Sequence, residues 1–326
     1  MQLPRRTFLQ LTANAAAVVS LGKTAHAEDV FPSRPIHLIV GFTPGSASDI
    51  TARLFAKGAS DVLGQQVIVE NKPGAAGSLA GQYVTHAAND GYTIFLFALS
   101  TLTNEIISPT PVLNVVKDFA PIGLLANGTV VLVVNPSTNV HNLAELIALD
   151  KAKPGQMLSG STGAGSIPQL AAALFAQRAG IKITDVPYPG SPQIAGDLMA
   201  GRITLSFNIA SAVIGQIQAG QLTALATAAS KRASALPNVP TMAEAGMADF
   251  DTSLWLGLAA PAGTPRPIVD KLADAARKAM QNADAVETLR KQGYETLDAG
   301  PDAFAAFIKS EVTRWTEVTR VAGIKG

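Results

Sequence analysis

Apolar runs and helical patterns alternate along this chain. Candidate strands are Ile36–Val40, Val67–Glu70, Thr93–Ala98, Val130–Val134, Thr184–Val186, Ile203–Phe207, Leu222–Ala226 and Leu254–Ala259. Most are β-branched or aromatic and lie near Gly, Pro or Asn, as strands should. Helical spacing predicts helices over Asp49–Leu63, Leu79–Ala88, Leu143–Lys153, Gln169–Ala179, Ile194–Ala200 and Val213–Ala219. This alternation predicts an α/β fold of parallel sheets covered by helices. From Pro265 onward the pattern reads as helix only. There Phe304, Phe307, Ile308, Val312, Trp315 and Val318 form an apolar stripe that predicts a helix packed on a sheet. Leu124–Pro136 and Phe250–Pro261 are candidate crossings between two lobes. If both cross, residues 28–126 and 253–326 form one lobe and 127–252 the other, and the two open and close about a hinge.

Two connections in this pattern share a chemistry. The first, Gly41-Phe42-Thr43-Pro44-Gly45-Ser46-Ala47-Ser48-Asp49, follows the strand Ile36–Val40. The second, Ser159-Gly160-Ser161-Thr162-Gly163-Ala164-Gly165-Ser166, precedes a helix that starts near Pro168. Free backbone N–H groups at a helix start, beside small residues, suit an anion. Ligands of open α/β sheets lie beyond the carboxyl ends of the strands, so the two loops are placed to grip one ligand from opposite sides. Asp49 reads either as a first-turn acid that favours the helix dipole or as a group that orders a water or accepts from a ligand. The hydroxyls of Ser46, Ser48, Ser161, Thr162 and Ser166 read either as helix caps or as ligand contacts.

Composition narrows the class. The 326 residues are 48% hydrophobic and 15% charged, enough for a large core and of a length that suggests two domains. Residues 1–27 read as an export signal: Arg5-Arg6 before Phe8-Leu9, an apolar run to Leu21, and Ala25-His26-Ala27 at the cleavage point. The twin arginines resemble a Tat signal. Cleavage after Ala27 removes three bases and no acids, leaving 22 bases against 24 acids, a net of −2. That balance gives no attraction for nucleic acid or an acidic membrane surface. The absence of cysteine excludes disulfides, thiol catalysis and a lipidated N-terminal Cys.

No catalytic constellation stands out. His37, His86 and His141 lack the i+3 or i+4 partners of a metal site. Ser161 has Ser159 rather than Gly two residues before it, so it is not a nucleophile elbow. Gly163-Ala164-Gly165 begins like a dinucleotide fingerprint, but Pro168 holds its third glycine position, and the first loop has no Gly-Lys-Ser/Thr. Neither a cofactor nor a metal is expected.

A series of short motifs, in order, carries a family resemblance: Phe31-Pro32-Ser33-Arg34-Pro35-Ile36, the Pro44-Gly45 loop with Asp49, Val69-Glu70-Asn71-Lys72-Pro73-Gly74-Ala75, Asp90-Gly91-Tyr92-Thr93, Lys117-Asp118-Phe119-Ala120-Pro121-Ile122, Val133-Val134-Asn135-Pro136-Ser137, Val186-Pro187-Tyr188, Leu236-Pro237-Asn238-Val239-Pro240-Thr241, Gly257-Leu258-Ala259-Ala260-Pro261-Ala262-Gly263-Thr264-Pro265 and Ala322-Gly323-Ile324. Over essentially the whole mature chain the sequence resembles the Bug (TctC-like) proteins, extracytoplasmic substrate-binding receptors of tripartite tricarboxylate transporters. The resemblance implies a two-lobed periplasmic-binding-protein fold of type II, a Venus flytrap with two hinge-crossing strands. It also implies a small carboxylate ligand held by two cleft loops, partly through ordered water. Carried over by position, the ligand-binding residues are Phe42, Thr43, Pro44, Gly45, Ser46, Ala47, Ser48 and Asp49 in the first loop. In the second they are Ser161, Thr162, Gly163, Ala164, Gly165 and Ser166. Ser100 and Thr101 contribute from a strand end. The sequence departs from the family pattern at Ala164 (often Asn), Gln169 (often His), Asn208 (often Asp at a strand end in the middle lobe) and Thr43-Pro44-Gly45-Ser46 (often Pro-Pro-Gly-Gly).

The expected function is a monomeric periplasmic receptor, not an enzyme, that captures a small organic carboxylate and delivers it to membrane permease subunits. A sensor reporting its ligand to a membrane signalling protein needs the same closing lobes. An exported hydrolase using Asp49 or a loop serine is the reading of a different class, and it lacks a base partner within either loop.

Overall fold

Both sheets of the protein follow one strand order. The structure, a computed structural model, describes residues 31–250 and 252–326, so the expected export signal of residues 1–27 lies outside the described residues. The fold is that of the unit Arg34–Gly326. It runs β1 (Ile36–Val40), α1 (Ala47–Leu63), β2 (Val67–Asn71), α2 (Ser78–Thr85), β3 (Thr93–Ala98), α3 (Leu99–Ile107), β4 (Phe119–Gly128), β5 (Val130–Val134), α4 (Leu143–Ala152), β6 (Met157–Ser161), α5 (Ile167–Ala179), β7 (Ile183–Pro187), α6 (Ser191–Met199), β8 (Leu205–Ile209), α7 (Ala210–Gln218), β9 (Thr223–Thr227), β10 (Leu254–Pro261), α8 (Arg266–Met280), α9 (Ala283–Lys291), β11 (Tyr294–Ala299) and α10 (Pro301–Ala322). The first sheet is ordered β11-β4-β10-β3-β1-β2 and the second β7-β6-β8-β5-β9. In each, a central strand lies parallel to two neighbours, β1 to β2 and β3, β6 to β7 and β8. In each, the strand that enters from the other sheet runs antiparallel between two others, β10 in the first and β5 in the second.

Those antiparallel strands are where the chain changes sheets. β4 pairs in the first sheet through Gly128, opposite Leu254, and β5 begins in the second at Val130. Thr129 between them is buried and donates its N–H to Gly293 O at 2.9 Å, while its carbonyl accepts from Ala210 N at 2.8 Å. On the return, Ala228 N bonds Val130 O at 2.7 Å and Thr252 N bonds Ala228 O at 3.1 Å.

Several elements correct the sequence reading. The C-terminal region is not helix only, because β11 closes the first sheet beside β4. As an edge strand with one fully buried side chain, Tyr294, it shows no apolar alternation. β4 was hidden by Pro121, Gly123 and Gly128, residues that argue against a central strand. Bulges in its pairing with β10 absorb them. A Cβ on Gly257 would stand 2.4 Å from the Phe304 ring, so helix–sheet contact demands that glycine. Ser159, Gly160 and Ser161 belong to β6 rather than to the second loop. Gly160 is small because Ile194 and Ile203 press on it; a Cβ would meet them at 2.7 and 2.8 Å. Ser100 and Thr101 sit in the first turn of α3, not at a strand end. β8 runs two residues further than expected, which brings Asn208 inside the strand.

The C-terminal stripe packs as its pattern predicts. On α10, Phe304, Ile308, Trp315 and Val318 are buried, and Phe304 and Phe307 meet Trp255 of β10 edge-on at 5.7 Å. Glu311 lies on the same face at 2% exposure. Its Oε2 accepts from the indole N–H of Trp255 at 2.9 Å and of Trp315 at 3.1 Å, and its other oxygen takes the Arg314 guanidinium at 2.6 Å. Removing this carboxylate strands two buried indole donors. Glu311→Ala is therefore expected to lose about 3 kcal/mol of stability, read as a lower urea midpoint at unchanged slope; a loss under about 1 kcal/mol would contradict this account of the helix–sheet contact.

Candidate ligand-binding site

The first loop is fastened by its own helix. Ser46 caps α1, its Oγ accepting from Asp49 N at 3.2 Å. Asp49, 2% exposed, turns back: Oδ2 accepts from Gly45 N at 2.9 Å and from Arg53 Nε at 2.9 Å, and Oδ1 accepts from Asn71 Nδ2 at 2.9 Å. The same Asn71 amide reaches Phe42 O at 3.0 Å, so the end of β2 is tied to both ends of the loop. Burial works to raise the Asp49 pKa, but the Arg53 side chain, the Gly45 N–H and the Asn71 amide outweigh it and hold it below the ordinary value. Thr43, Pro44 and Gly45 stand exposed, with Gly45 at φ +81°, and Ser46 N closes a turn onto Thr43 O at 3.2 Å. Ala47 and Ser48 open α1, and no hydrogen bond from either N–H is present among the described residues.

The second loop is fastened from the neighbouring strand. Gly163 N donates to Ser161 Oγ at 3.2 Å, and Ser161 Oγ donates to Asp185 Oδ2 of β7 at 3.1 Å. Gly165 N donates to Gln169 Oε1 at 2.9 Å, and Gln169 Nε2 donates to the same Asp185 oxygen at 3.0 Å. Ser166 N bonds Gly163 O at 3.2 Å. The amides of Gly45, Gly163 and Gly165 are thus already engaged within the protein. Thr162 and Ala164 are exposed, and their N–H groups make no hydrogen bond among the described residues.

Helix α3 connects the two loops. Thr101 Oγ1 donates to Ala76 O at 2.9 Å. Ala76 belongs to the turn Gly74–Gly77, whose four residues all have positive φ. Gly77 of that turn presses on Gly41 and Phe42: a Cβ on Gly41 would stand 2.4 Å from Gly77 Cα, and one on Gly77 would stand 3.5 Å from the Phe42 ring. On the other side, Thr103 Oγ1 donates to Gly165 O at 3.3 Å, and the Ile107 side chain lies where a Gly165 Cβ would be. Ser100 is half-buried in the first turn of the same helix.

Several buried polar atoms lack a partner among the described residues, Ser159 Oγ and Asp185 Oδ1 included, and two such side chains bear on the second loop. Ser166 stands at the cap position of α5, yet its buried Oγ caps nothing and is unbonded among the described residues. Asn208 is 1% exposed, and both its Nδ2 and Oδ1 lack a partner. β8 runs parallel to β6 with Leu205 level with Ser159, so Asn208 lies at the height of Thr162. An unsatisfied buried polar group costs about 1–3 kcal/mol, which a bound molecule or ordered water would relieve. Among the described residues, no group of three His, Asp or Glu side chains is arranged to hold a metal.

Sequence reasoning missed Asn71, Asp185, Thr103 and the Gly74–Gly77 turn. Asn71, Gly74 and Ala75 stood in a quoted motif, but their roles follow from the pairing that sets Asn71 level with Val40.

Two sheets of one order, exchanging strands, with small-residue loops at strand-to-helix junctions, define a two-lobed ligand-binding protein. A model of the tripartite tricarboxylate transporter family receptor matches residues 51–324. Protein BugT of Bordetella pertussis is 36% identical over 316 residues, 96% of this chain and 95% of that protein. The structure of R. palustris Rpa4515 with adipate is 32% identical, with a TM-score of 0.75 over 90% of this chain and 99% of that one. MatC (Rpa3494) from Rhodopseudomonas palustris with bound malate is 30% identical, with a TM-score of 0.72 over 88% and 99%. The chain belongs to the tripartite tricarboxylate transporter receptor family. It is a family of solute-binding receptors with the periplasmic-binding-protein fold, not of enzymes.

The Asp49 network makes a signed prediction. A carboxylate whose pKa is depressed on folding contributes stability that is full above its unfolded pKa and is lost as pH falls through the folded one. The stability difference between the protein and Asp49→Asn is expected to be constant near neutrality and to shrink as pH drops below 3.8, the ordinary value. Unfolding titrations in which the difference widens on acidification would contradict the network.

Proposed function

We propose that this receptor is exported by the signal in residues 1–27 and cleaved after Ala27. In the periplasm, as a monomer, it captures a small carboxylate between its two loops and hands it to membrane permease subunits. In this reading residues 28–126 with 253–326 form one lobe, residues 127–252 form the other, and both close on the ligand. The observation that carries it is the pair of unpartnered polar groups, Ser166 Oγ and Asn208, beside a loop whose Thr162 and Ala164 amides are also free. A carboxylate accepts from Asn208 Nδ2, from those amides, and from the Ala47 and Ser48 amides at the start of α1. The hydroxyls of Ser46, Ser48, Thr162 and Ser166 lie within the same two segments. Neither loop holds an arginine or lysine, and Arg53 is occupied by Asp49. Recognition then rests on neutral donors and helix starts rather than on a bidentate guanidinium. The adipate and malate in related structures support a small-acid ligand.

Asn208 makes the proposal specific. It is neutral and both donates and accepts, so it offers no charge to a ligand ammonium and does not repel a second carboxylate. Simple acids such as malate, succinate and adipate should bind more tightly than aspartate or glutamate by about tenfold or more, ~1.4 kcal/mol. Calorimetry on three proteins checks this. Asn208→Asp should shift preference toward the amino acids. Ala164→Leu should abolish binding at an unchanged melting temperature; it is a cleaner probe than Gly163→Leu, because Gly163 sits at φ +102°, where any side chain strains the backbone. Tighter binding of the amino acids, unchanged preference in Asn208→Asp, or unaffected binding in Ala164→Leu would each contradict the proposal.

A further inference from the structure

The Thr162–Ala164 tip of the second loop has little packing to fix its shape. Thr162 and Ala164 are exposed, and a Cβ built on Gly163 would meet nothing within 4 Å. Gln169 and Asp185 also line an open groove of about 700 Å³ along α5 and β7, with Ala172, Ala176 and Ile183. Only Gly165 at its end is packed, against the Ile107 side chain. Besides the Thr103 bond to Gly165 O and the Ser166 N–Gly163 O turn, two polar chains hold the loop, and both end on one atom. Asp185 Oδ2 accepts from Ser161 Oγ and from Gln169 Nε2; Ser161 Oγ in turn accepts from Gly163 N, and Gln169 Oε1 from Gly165 N.

The acceptor fixes two orientations at once. A serine hydroxyl that donates to Asp185 turns its lone pairs toward Gly163. A glutamine amide whose NH2 donates to Asp185 must present its oxygen to Gly165. With the Gly163 and Gly165 amides drawn inward, the intervening Ala164 amide is left facing out. Asp185 comes from the edge strand β7, level with Ser159 of β6, so a residue outside the loop determines which loop amides are spent and which are free.

We propose that Asp185 is a positioning residue for the second loop, acting through Ser161 and Gln169 to hold the Thr162 and Ala164 amides outward. The inference rests on the reading of that loop as a ligand site, but its first test does not. Amide water-exchange rates measured by NMR on the ligand-free protein report the loop directly. In Asp185→Ala, exchange at Gly163 and Gly165 should rise at least about fivefold, while core amides such as Leu132 and Leu96 keep their rates. Asp185→Asn retains one oxygen able to accept both bonds and should restore slow exchange. Gln169→Leu leaves the carboxylate in place and should loosen Gly165 more than Gly163, giving a second route should Asp185→Ala fold poorly. Unchanged exchange at both glycines in Asp185→Ala, or equal loosening in Asp185→Asn, would overturn the proposal.

Malate and adipate affinities separate this failure from that of the ligand reading. The proposal expects Asp185→Ala to weaken binding about tenfold and Asp185→Asn to stay within about threefold of the parent. Unchanged affinity in Asp185→Ala alongside loss in Ala164→Leu would overturn the positioning role. Unchanged affinity in both would instead overturn the second loop as the ligand site.

Discussion

A carboxylate behind each loop, buried at Asp49 and half-buried at Asp185, organises the polar face of this receptor. Asp49 takes the Gly45 amide directly and ties it to Arg53 and Asn71. Asp185 takes the Gly163 and Gly165 amides through the side chains of Ser161 and Gln169. Each arrangement uses a negative charge to fix backbone donors while keeping that charge away from the exposed amides. For the first loop the balance is local, because Arg53 pairs with Asp49 one turn along α1. An anion approaching the start of α1 therefore meets helix amides rather than a bare carboxylate.

The shared strand order explains why two loops of like chemistry stand on one molecule. In both sheets the central parallel strand, β1 or β6, runs into a Gly- and Ser-rich loop and then a helix. The strand that enters from the other sheet lies antiparallel two places away, so the loops and the crossings are built into the same layers. α3 fills the space between, touching Gly165 through Thr103 and the Gly74–Gly77 turn through Thr101. Side chains two residues apart on one short helix thus contact the surroundings of both loops. That coupling supports the proposal that they act as one site.

The sequence revealed most where a strand is apolar and buried throughout. β1, β3 and β5 have the bounds expected from their runs alone. β4 was masked by proline and glycines that its bulged partner tolerates, β6 by small residues that Ile194 and Ile203 require, and β11 by the polar composition of an edge. The loops were legible because Gly, Ser and Thr crowd between a strand and a helix. Their supports were not: Asn71, Asp185 and Thr103 act across sheet neighbours and helix contacts that no spacing encodes. Asp49 was visible as a first-turn acid, but only its hydrogen bonds show that it turns back on Gly45 instead of facing outward.

The central claim is that amides from two loops, far apart in sequence, hold one carboxylate. Backbone amide shifts followed by NMR during titration with malate, and separately with adipate, address it most directly. The account predicts that Ala47 and Ser48 of the first loop and Thr162 and Ala164 of the second shift together along one binding curve, with Gly45, Gly163 and Gly165 moving least among loop amides. Saturating shifts confined to a single loop, or two loops titrating with different midpoints, would contradict it.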